Sequence, residues 1–305
     1  MDKFDIIVVG AGPAGMTAAL NCLRAGKSVL VLESDSFGGQ IAYSPRVENF
    51  PSYQKISGSE LMDKLYEQIS EWGAQIELEK AQSIVKTFGF ELTTDYNKYE
   101  CKSVILATGV KPRKIGVERE DELVGSGVSY CALCDGAFYS GEDVCVIGDA
   151  NTALQYALVL SGYCKSVHIC TLFDKFFGDK ALLDLVLARP NVKYTHNLSL
   201  KEFIGQDELS ALRFENTQTH EDVTVEAKCA FICIGQVPNN TAFANIVELD
   251  KAGYIVADEN CTTSCEGIFV AGDCRTKKIR QLVTAASDGS IAAFNACAYV
   301  DKVNG

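Results

Sequence analysis

The fold of this chain is decided near its start, where residues 4–33 read FDIIVVGAGPAGMTAALNCLRAGKSVLVLE. Residues 4–9 are mainly apolar and β-branched, which is typical of a buried strand. A helical pattern follows over Met16–Ala25, and a second apolar run, Ser28–Leu32, ends at Glu33. Strand, helix and strand in this order form a βαβ unit, whose right-handed crossover makes the two strands parallel neighbours. The stretch therefore predicts the start of an α/β domain.

Three glycines stand between the first strand and the helix with the spacing G-x-G-x-x-G, at Gly10, Gly12 and Gly15. The first permits a tight turn, the second lets a pyrophosphate approach the backbone, and the third lets the helix pack on the strand. Glu33, about 20 residues later, can hydrogen-bond a ribose hydroxyl. We interpret the unit as a dinucleotide site that does not by itself separate FAD from NAD. A glycine-rich turn without a ligand is the alternative.

A second βαβ pattern lies at residues 143–170. Its strands are predicted at Val144–Ile147 and Ser166–Cys170, with a helix at Asn151–Leu160 between them. Two such starts in one chain predict an α/β protein with two doubly wound, Rossmann-like nucleotide-binding domains.

The C-terminal part adds an apolar strand that ends in Gly272-Asp273, followed by a helix rich in small residues, predicted over Thr284–Ala298. A carboxylate at this strand end suits the ribityl or ribose hydroxyls of a long ligand that extends from the glycine motif. A strand ending in Gly-Asp is a weak signal alone, because such ends often make a simple turn. Paired with the glycine motif it favours FAD, which is the predicted cofactor.

Composition narrows the class of function. The chain has 305 residues, a formal net charge of −12 and a pI near 4.8. This balance argues against nucleic acid and anionic membrane surfaces, which attract clustered Lys and Arg. No apolar run approaches the roughly 20 residues of a membrane helix, and no signal peptide is evident. Thirteen cysteines, an odd number in strand-like surroundings, indicate a reducing setting, and we expect a cytoplasmic protein.

One cysteine pair stands out, because Cys131 and Cys134 are spaced C-x-x-C just before the second βαβ unit. On a helical turn this spacing brings the sulfurs within disulfide reach and often lowers a thiol pKa. A zinc site would need two more ligands, and the nearest by pattern, Cys261 and Cys265, look like part of a loop or strand edge. We interpret the pair as redox-active and predict no metal, with zinc and inert thiols as alternatives. Asp135 can protonate a departing thiolate, or simply cap the turn.

These features together resemble the low-molecular-weight thioredoxin reductase family over nearly the whole chain. The glycine motif, the segment Cys131–Gly136 and the Gly-Asp strand end carry most of the resemblance. Four further stretches add to it: Gly38–Gln40, Val47–Pro51, Ala107–Gly109 and Arg280–Ala286.

The resemblance implies an FAD-binding domain formed by residues 1–113 and 239–305, and an inserted redox-disulfide domain, 114–238. It implies that reduced flavin reduces the cysteine pair and that the pair reduces thioredoxin, with Cys134 nearer the flavin and Cys131 attacking thioredoxin. It also implies a homodimer. The FAD contacts that it implies are Gly10, Gly12, Pro13, Ala14, Gly15, Glu33, Gly39, Gln40, Asn49, Thr108, Gly109, Gly272, Asp273, Arg280, Gln281 and Ala285.

The central domain departs from the family where NADPH-dependent members bind their nucleotide. In the second glycine fingerprint, residues 148–153, Ala150 replaces the middle glycine and Asp149 places a carboxylate near the expected pyrophosphate. The family's basic residues for the 2′-phosphate are also missing, and their positions hold Thr171, Leu172, Phe173 and Phe177.

This pattern resembles the ferredoxin-dependent flavin thioredoxin reductases, so we expect reduced ferredoxin as the electron donor and thioredoxin as the acceptor. The alternatives are an NADPH- or NADH-dependent thioredoxin reductase and a non-catalytic flavin-binding or sensing module. Docking an acidic ferredoxin on an acidic chain requires a local basic patch. The candidates are the runs 275–280 and 111–114, which can equally be solvated surface, and Arg280 can instead be occupied with flavin.

Overall fold

The computed structural model of the chain describes residues 2–44, 47 and 49–305. Glu48, which belongs to the stretch Val47–Pro51 of the family resemblance, lies outside the described residues. The chain divides into two compact units, one formed by Met1–Lys111 with Val237–Gly305 and the other by Pro112–Gln236. Flavin binding by one part of the chain and disulfide exchange by the other stay predictions.

The first unit contains a seven-stranded sheet. Numbered along the whole chain, its strands are β1 (Asp2–Val9), β2 (Val29–Leu32), β3 (Gln75–Glu77), β4 (Ala81–Lys86), β5 (Phe90–Thr94), β6 (Lys98–Leu106) and β17 (Ile268–Val270). Its helices are α1 (Pro13–Arg24), α2 (Gly58–Glu71) and α6 (Leu282–Asn304), with short 3-10 helices at Gly39–Tyr43 and Thr241–Phe243. Two short strands, β7 (Val110–Pro112) and β16 (Gln236–Pro238), lie where the chain passes from one unit to the other.

The central strands of this sheet are parallel. Their order is β3-β2-β1-β6, and β17 pairs with the C-terminal end of β6 in the same direction. Strands β5 and β4 extend the N-terminal part of β6 as an antiparallel meander. Because β1, β2, β6 and β17 run the same way, their carboxyl ends meet at one edge. The residues that follow these strands therefore come together there.

The turn between β1 and α1 depends on glycine at two positions. Gly10 has φ +108°, and a Cβ there would lie 2.3 Å from the carbonyl oxygen of Ala107. A Cβ at Gly15 would lie 1.8 Å from the carbonyl oxygen of Gly10. Helix α1 begins at Pro13, earlier than the predicted Met16, because proline suits the first helical position, where its missing N–H has no partner to lose.

The second unit contains two sheets. Its strands are β8 (Val128–Ser129), β9 (Asp143–Ile147), β10 (Ser166–Cys170), β11 (Val192–Thr195), β12 (Leu198–Gly205), β13 (Leu209–Asn216), β14 (Asp222–Glu226) and β15 (Cys229–Ile232). Its helices are α3 (Ala132–Asp135), α4 (Asn151–Leu160) and α5 (Lys180–Leu187), with a 3-10 helix at Gly136–Tyr139.

Five of these strands form a parallel sheet in the order β11-β10-β9-β15-β8. The predicted helix Asn151–Leu160 and strand Ser166–Cys170 have these bounds in the structure. Strands β12, β13 and β14 form a separate antiparallel sheet that the sequence analysis did not predict. Each unit thus carries a parallel, Rossmann-like sheet, and the predicted α/β class with two doubly wound domains is confirmed.

Helix α6 packs along α1 through small residues. A Cβ at Gly289 would lie 2.2 Å from the carbonyl oxygen of Ala14 and 3.1 Å from the backbone nitrogen of Ala18. The helix begins before the predicted Thr284, because Gln281 and Thr284 form a reciprocal capping box at its N-terminus. The close approach of the two helices therefore requires glycine at position 289.

Helix α6 has 23 residues, which by length alone exceeds the roughly 20 residues of a membrane span. Its sequence includes Asp288, Asp301 and Lys302. Among the described residues, no helix is both long and apolar enough to cross a membrane.

We predict that Gly289→Ala destabilises the protein, although alanine is normally favoured over glycine inside a helix by about 1 kcal/mol. The added methyl group meets backbone rather than a movable side chain, so α1 or α6 must shift, at a cost of about 1–3 kcal/mol or more. Urea unfolding measures the change. Ser287→Ala, an exposed position on the same helix, is the control and should not lower the midpoint. A raised midpoint for Gly289→Ala would contradict the packing described.

Candidate functional site

At the edge of the first unit's sheet where the parallel strands end, the Glu33 side chain lies against the glycine turn. Its Oε2 accepts a hydrogen bond from the backbone N–H of Ala11 at 2.8 Å. Its Oε1 accepts from the N–H groups of Ser34 at 2.7 Å and Asp35 at 3.0 Å. These bonds fix the carboxylate beside the start of α1, as expected for a group that meets a ribose next to a pyrophosphate.

The N-terminus of α1 is open to a ligand. Among the described residues, a Cβ at Gly12 would find within 4 Å only the Cα of Gly39, at 3.8 Å, so these residues leave room in front of the backbone at Gly12. Among the described residues no side chain caps the helix, and the N–H groups of its first turn point to where an anion can lie. The loop at Gly39 is held close by a hydrogen bond from Gly38 N–H to the Ala11 carbonyl oxygen, 2.9 Å.

Asp273 follows β17 and leaves one carboxylate oxygen without a partner. Its Oδ1 is buried and accepts no hydrogen bond from any described residue. Burial raises the pKa of the Asp273 carboxyl to about 6, although the charges of Lys277 and Arg280 oppose the shift. A buried, unpaired acceptor costs free energy unless a ligand supplies the donor. The orphaned oxygen therefore fits the hydroxyl groups of a ribityl chain, and the site as a whole fits FAD.

Other predicted flavin contacts occupy the same edge. Arg280 lies over the ring of Tyr254, with its Cζ 4.3 Å from the ring centroid, and donates to the carbonyl oxygen of Asp273 at 3.3 Å. The side chain of Gln281 accepts a hydrogen bond from Asn49 Nδ2 at 3.2 Å. Gln40 is exposed after Gly39, and Gly109, Gly272 and Ala285 follow or border the ends of β6 and β17.

Asn240 is a site residue that the sequence analysis missed. It is fully buried, and its Oδ1 accepts from Thr108 Oγ1 at 2.6 Å. Its Nδ2 donates to the carbonyl oxygens of Gly253 and Cys274, both at 2.9 Å. It thus ties the end of β6 to the segment after β17. Nothing in the local sequence around Asn240 marks this role, because its partners are distant in the chain.

The basic run 275–280 is not a charged surface patch. Arg275 is 2% exposed, and its Nε and Nη2 donate to the two carboxylate oxygens of Asp288 at 2.9 and 3.0 Å. Lys277 donates to the same carboxylate at 2.7 Å. Since Arg280 is occupied with Tyr254, only Lys278 of the four cations in this run is fully exposed. The interpretation of the run as a docking patch is therefore wrong.

In the second unit, Cys131 and Cys134 form a disulfide at the carboxyl edge of the parallel sheet. Cys131 is the N-cap residue of the short helix α3, which begins three residues after the end of β8, and the Cα atoms of Cys131 and Cys134 are 5.3 Å apart. The N–H groups of Cys134 and Asp135 donate to the carbonyl oxygen of Cys131 at 3.1 and 3.0 Å. The helical turn predicted from the C-x-x-C spacing is present and holds the disulfide.

Asp135 lies beside the disulfide in a partly buried position. Its Oδ2 accepts from Ser129 Oγ at 2.6 Å, whereas its Oδ1 is buried and has no partner among the described residues. Ser129 Oγ also accepts from the N–H of Cys131 at 3.1 Å. Burial raises the pKa of the Asp135 carboxyl, and the bond from Ser129 opposes this. Such a group can hold a proton near a sulfur at a pH where an exposed aspartate is ionised.

The nucleotide fingerprint of the second unit keeps its backbone shape. Gly148 has φ +153°, and a Cβ there would lie 2.5 Å from the carbonyl oxygen of Cys233, so glycine is required. Ala150, at the position of the second glycine, is the N-cap of α4 and is exposed. Burial raises the pKa of the Asp149 carboxyl, since the residue is partly enclosed at this turn.

The segment after β10 presents apolar side chains instead of cations. Thr171 is fully buried, and its Oγ1 is 2.6 Å from His196 Nδ1 and donates to the carbonyl oxygen of Phe173 at 2.8 Å. Three apolar side chains beyond it are about half exposed: Leu172, Phe173 and Phe177. Lys175 lies over the ring of Phe177, 5.4 Å from its centroid, and Lys180 pairs with Asp184 at 2.9 Å.

The zinc alternative finds no support in the described part of the chain. It contains no group of three or more His, Cys, Asp or Glu side chains placed to hold a metal ion. Cys131 and Cys134 are bonded to each other, and Cys261 is buried in the first unit.

Known proteins resemble the chain along its whole length. A family model described as pyridine nucleotide-disulphide oxidoreductase matches residues 4–289. A thioredoxin reductase from Treponema pallidum (strain Nichols) is 40% identical over 302 residues, which covers 98% of each chain. The chain belongs to the low-molecular-weight thioredoxin reductases of the pyridine nucleotide-disulphide oxidoreductase family.

Solved structures of thioredoxin reductases share its fold. The enzyme from Streptococcus pyogenes MGAS5005 is 35% identical, covers 98% of this chain and 99% of its own, and superposes with a TM-score of 0.94. A ferredoxin-flavin thioredoxin reductase from Clostridium acetobutylicum is 28% identical, covers 100% of this chain and 99% of its own, and gives a TM-score of 0.55.

Family membership settles several predictions. This thioredoxin reductase homologue is an oxidoreductase that acts on a disulfide, and its predicted cofactor, FAD, is confirmed. Membership of an enzyme family leaves the non-catalytic flavin module without support. The individual FAD contacts and the catalytic roles of Cys131, Cys134 and Asp135 stay predictions, which the geometry above makes specific.

We predict that Asp273→Asn weakens FAD binding by this thioredoxin reductase homologue but stabilises its FAD-free form. The folded pKa of about 6 lies above the ordinary value of 3.8, so the FAD-free protein loses stability as the pH rises from 4 to 6 and does not regain it above. The variant should therefore gain about 1–3 kcal/mol at pH 7.5 and almost nothing at pH 4. Urea unfolding of the FAD-free protein measures this. A gain that is equal at both pH values would contradict it.

We further predict that Ser129→Ala raises the pKa of Asp135, because it removes the bond that favours the ionised carboxylate. Reduction of the Cys131–Cys134 disulfide by dithiothreitol should then include a phase that protonated Asp135 accelerates, and in the variant this phase should persist to higher pH than in the wild type. Asp135→Asn should abolish that phase. Ser140→Ala, which removes an exposed serine, is the control. Identical pH profiles for wild type and Ser129→Ala would show that Asp135 does not supply the proton.

Proposed function

We propose that this flavoprotein reduces the disulfide of thioredoxin with electrons from a reduced ferredoxin, through FAD and the Cys131–Cys134 pair. Thioredoxin as the acceptor is supported by the relatives from Treponema pallidum and Streptococcus pyogenes, which are thioredoxin reductases. Ferredoxin as the donor is supported by the name of the Clostridium acetobutylicum relative.

The main support for ferredoxin as the donor comes from the side chains of the segment after β10. A 2′-phosphate would need cations there, and this chain offers Leu172, Phe173 and Phe177 instead. Losing two charge-assisted contacts to a phosphate removes on the order of 3–6 kcal/mol, or two to four decades of affinity. Ala150 and Asp149 disfavour the pyrophosphate of NADH and NADPH alike.

The energetics permit this donor. A plant-type ferredoxin near −400 mV and a thioredoxin near −270 mV differ by about 130 mV, which is about 6 kcal/mol downhill for two electrons. FAD, when bound, accepts single electrons and delivers them as a pair. A nicotinamide would deliver a hydride and would not need that conversion.

The following predicted site residues have proposed roles. Gly10, Gly12 and the first turn of α1 bind the pyrophosphate of FAD, Glu33 a ribose hydroxyl, and Asp273 the ribityl chain. Cys134 is the sulfur nearer the flavin, and the Cys131 thiolate attacks the disulfide of thioredoxin. Two electrons and two protons convert the Cys131–Cys134 disulfide to a dithiol, and the dithiol returns to the disulfide as its two electrons and two protons pass to the disulfide of thioredoxin. The Asp135 carboxyl gives its proton to the sulfur that leaves as thiolate.

The second candidate donor is a nicotinamide nucleotide. It is favoured by the match to the pyridine nucleotide-disulphide oxidoreductase family. Gly148 also keeps the backbone turn that such a site requires. Homodimer formation stays an expectation from the family resemblance.

Docking of an acidic ferredoxin needs exposed cations. With the run 275–280 excluded as a patch, the run 111–114 is the remaining candidate from the sequence, and its two cations in the second unit are Arg113 and Lys114. Both are exposed, although Lys114 pairs with Asp121 at 2.6 Å. We therefore propose that this short run contributes to the docking surface.

We predict that anaerobic titration with one equivalent of NADPH or NADH leaves the flavin absorbance unchanged, whereas reduced ferredoxin bleaches it and sustains thioredoxin reduction. The triple variant Leu172→Arg/Phe173→Arg/Phe177→Arg should gain NADPH binding relative to NADH, because it restores cations at this segment. The matched control places arginine at Leu185 and Leu187, two exposed leucines of α5. Rapid bleaching of the wild-type flavin by either nucleotide would contradict ferredoxin as the donor and support a nicotinamide nucleotide instead.

A further inference from the structure

Asp288, on α6, is the centre of a buried ionic group in the first unit. It is 4% exposed. Its Oδ2 accepts from Arg275 Nε at 2.9 Å, from Lys277 Nζ at 2.7 Å and from the backbone N–H of Gly272 at 3.0 Å. Its Oδ1 accepts from Arg275 Nη2 at 3.0 Å. Both carboxylate oxygens thus have partners inside the protein, and the side chain is almost entirely shielded from solvent.

The residues that donate hydrogen bonds to the Asp288 carboxylate lie on either side of Asp273 in the sequence. Gly272 precedes Asp273 directly, and Arg275 and Lys277 follow within four positions. A bidentate pair with arginine fixes orientation as well as distance. Asp288 therefore anchors the chain on both sides of Asp273, whose buried Oδ1 lacks a partner among the described residues.

A second anchor holds the segment from the other direction. Asn240 Nδ2 donates to the carbonyl oxygen of Cys274, and Asn240 Oδ1 accepts from Thr108. Between these two anchors the backbone around Asp273 has little freedom to relax. The carboxyl stays buried and unpaired because its neighbours are held, which is the condition for presenting a preorganised acceptor.

The charges around Asp273 are also set by this group. The charged groups that face its carboxyl are Lys277 and Arg280 from the segment after β17, and Asp288 from α6. Cys274, next in sequence, is the remaining titratable neighbour, and the partners from the β6 side, Thr108 and Asn240, are neutral. Asp288 neutralises part of the positive charge that would otherwise act on Asp273.

We propose that Asp288 is a positioning residue of the flavin site, which holds the Gly272–Asp273 turn and, through Arg275 and Lys277, sets the charge that acts on the Asp273 carboxyl. It acts on FAD through Asp273 and not by contact. Asp288 thereby has two separable effects on FAD binding, one on the affinity and one on the pH dependence of that affinity.

Serial dilution of the full-length holoprotein, with FAD release followed by flavin fluorescence from pH 5 to 8, tests it. Asp288→Asn should weaken FAD binding at least tenfold, because the turn loses its charged anchor. The pH midpoint of binding should move to lower pH, since the negative charge of Asp288 raises the pKa of Asp273. Asp301→Asn, an exposed acid on the same helix, is the control and should bind FAD as the wild type does.

Lys277→Gln separates the two effects and covers the case in which Asp288→Asn fails to fold. It keeps the bonds from Gly272 and Arg275 to Asp288, so FAD affinity at the optimum should stay within threefold of wild type. Its pH midpoint should move to higher pH, because Lys277 lowers the pKa of Asp273. A folded Asp288→Asn protein with wild-type affinity and midpoint, or an unmoved midpoint in Lys277→Gln, would overturn the proposal and leave the group a purely structural ion cluster.

Discussion

The parallel register of the first unit is the constraint on which its site depends. β1 pairs with β2 and β6, and β17 pairs with β6, all in one direction. Four strand ends that are up to about 260 positions apart in sequence, from Val9 to Val270, therefore meet at one edge. A one-residue slip would reverse which face each side chain occupies, so the buried core enforces the register that brings Gly10, Glu33 and Asp273 together.

Among the described residues, two carboxyl groups have a buried oxygen without a partner, one in each unit, and the contrast with Asp288 separates two uses of a buried acid. Both carboxylate oxygens of Asp288 are hydrogen-bonded, by donors from Arg275, Lys277 and Gly272. Asp273 and Asp135 each leave Oδ1 without a partner in the described residues, and burial raises the pKa of both. A fully paired acid maintains structure, whereas an underpaired one is held ready for a ligand or a proton.

Local patterns allowed prediction of the glycine turn, the C-x-x-C turn and the strand β10, because each is determined by residues close in sequence. The run 275–280 shows where such prediction stops. Its cations look like a surface patch, and only the tertiary partner Asp288, 13 positions beyond Arg275, shows that two of them are buried. Asn240 and Ser129 were missed for the same reason, since their roles exist only through contacts between separate elements.

The proposed change of electron donor requires no change of fold in the second unit. Its parallel sheet positions two things at one edge: the fingerprint turn after β9 and the redox disulfide after β8. The disulfide needs the sheet whether or not a nucleotide binds. Glycine is required at position 148 because a Cβ there would clash with the carbonyl oxygen of Cys233, and this packing requirement holds without any ligand. Side chains that serve only a phosphate have no such second function, so the segment after β10 is the part of the unit that is free to become apolar.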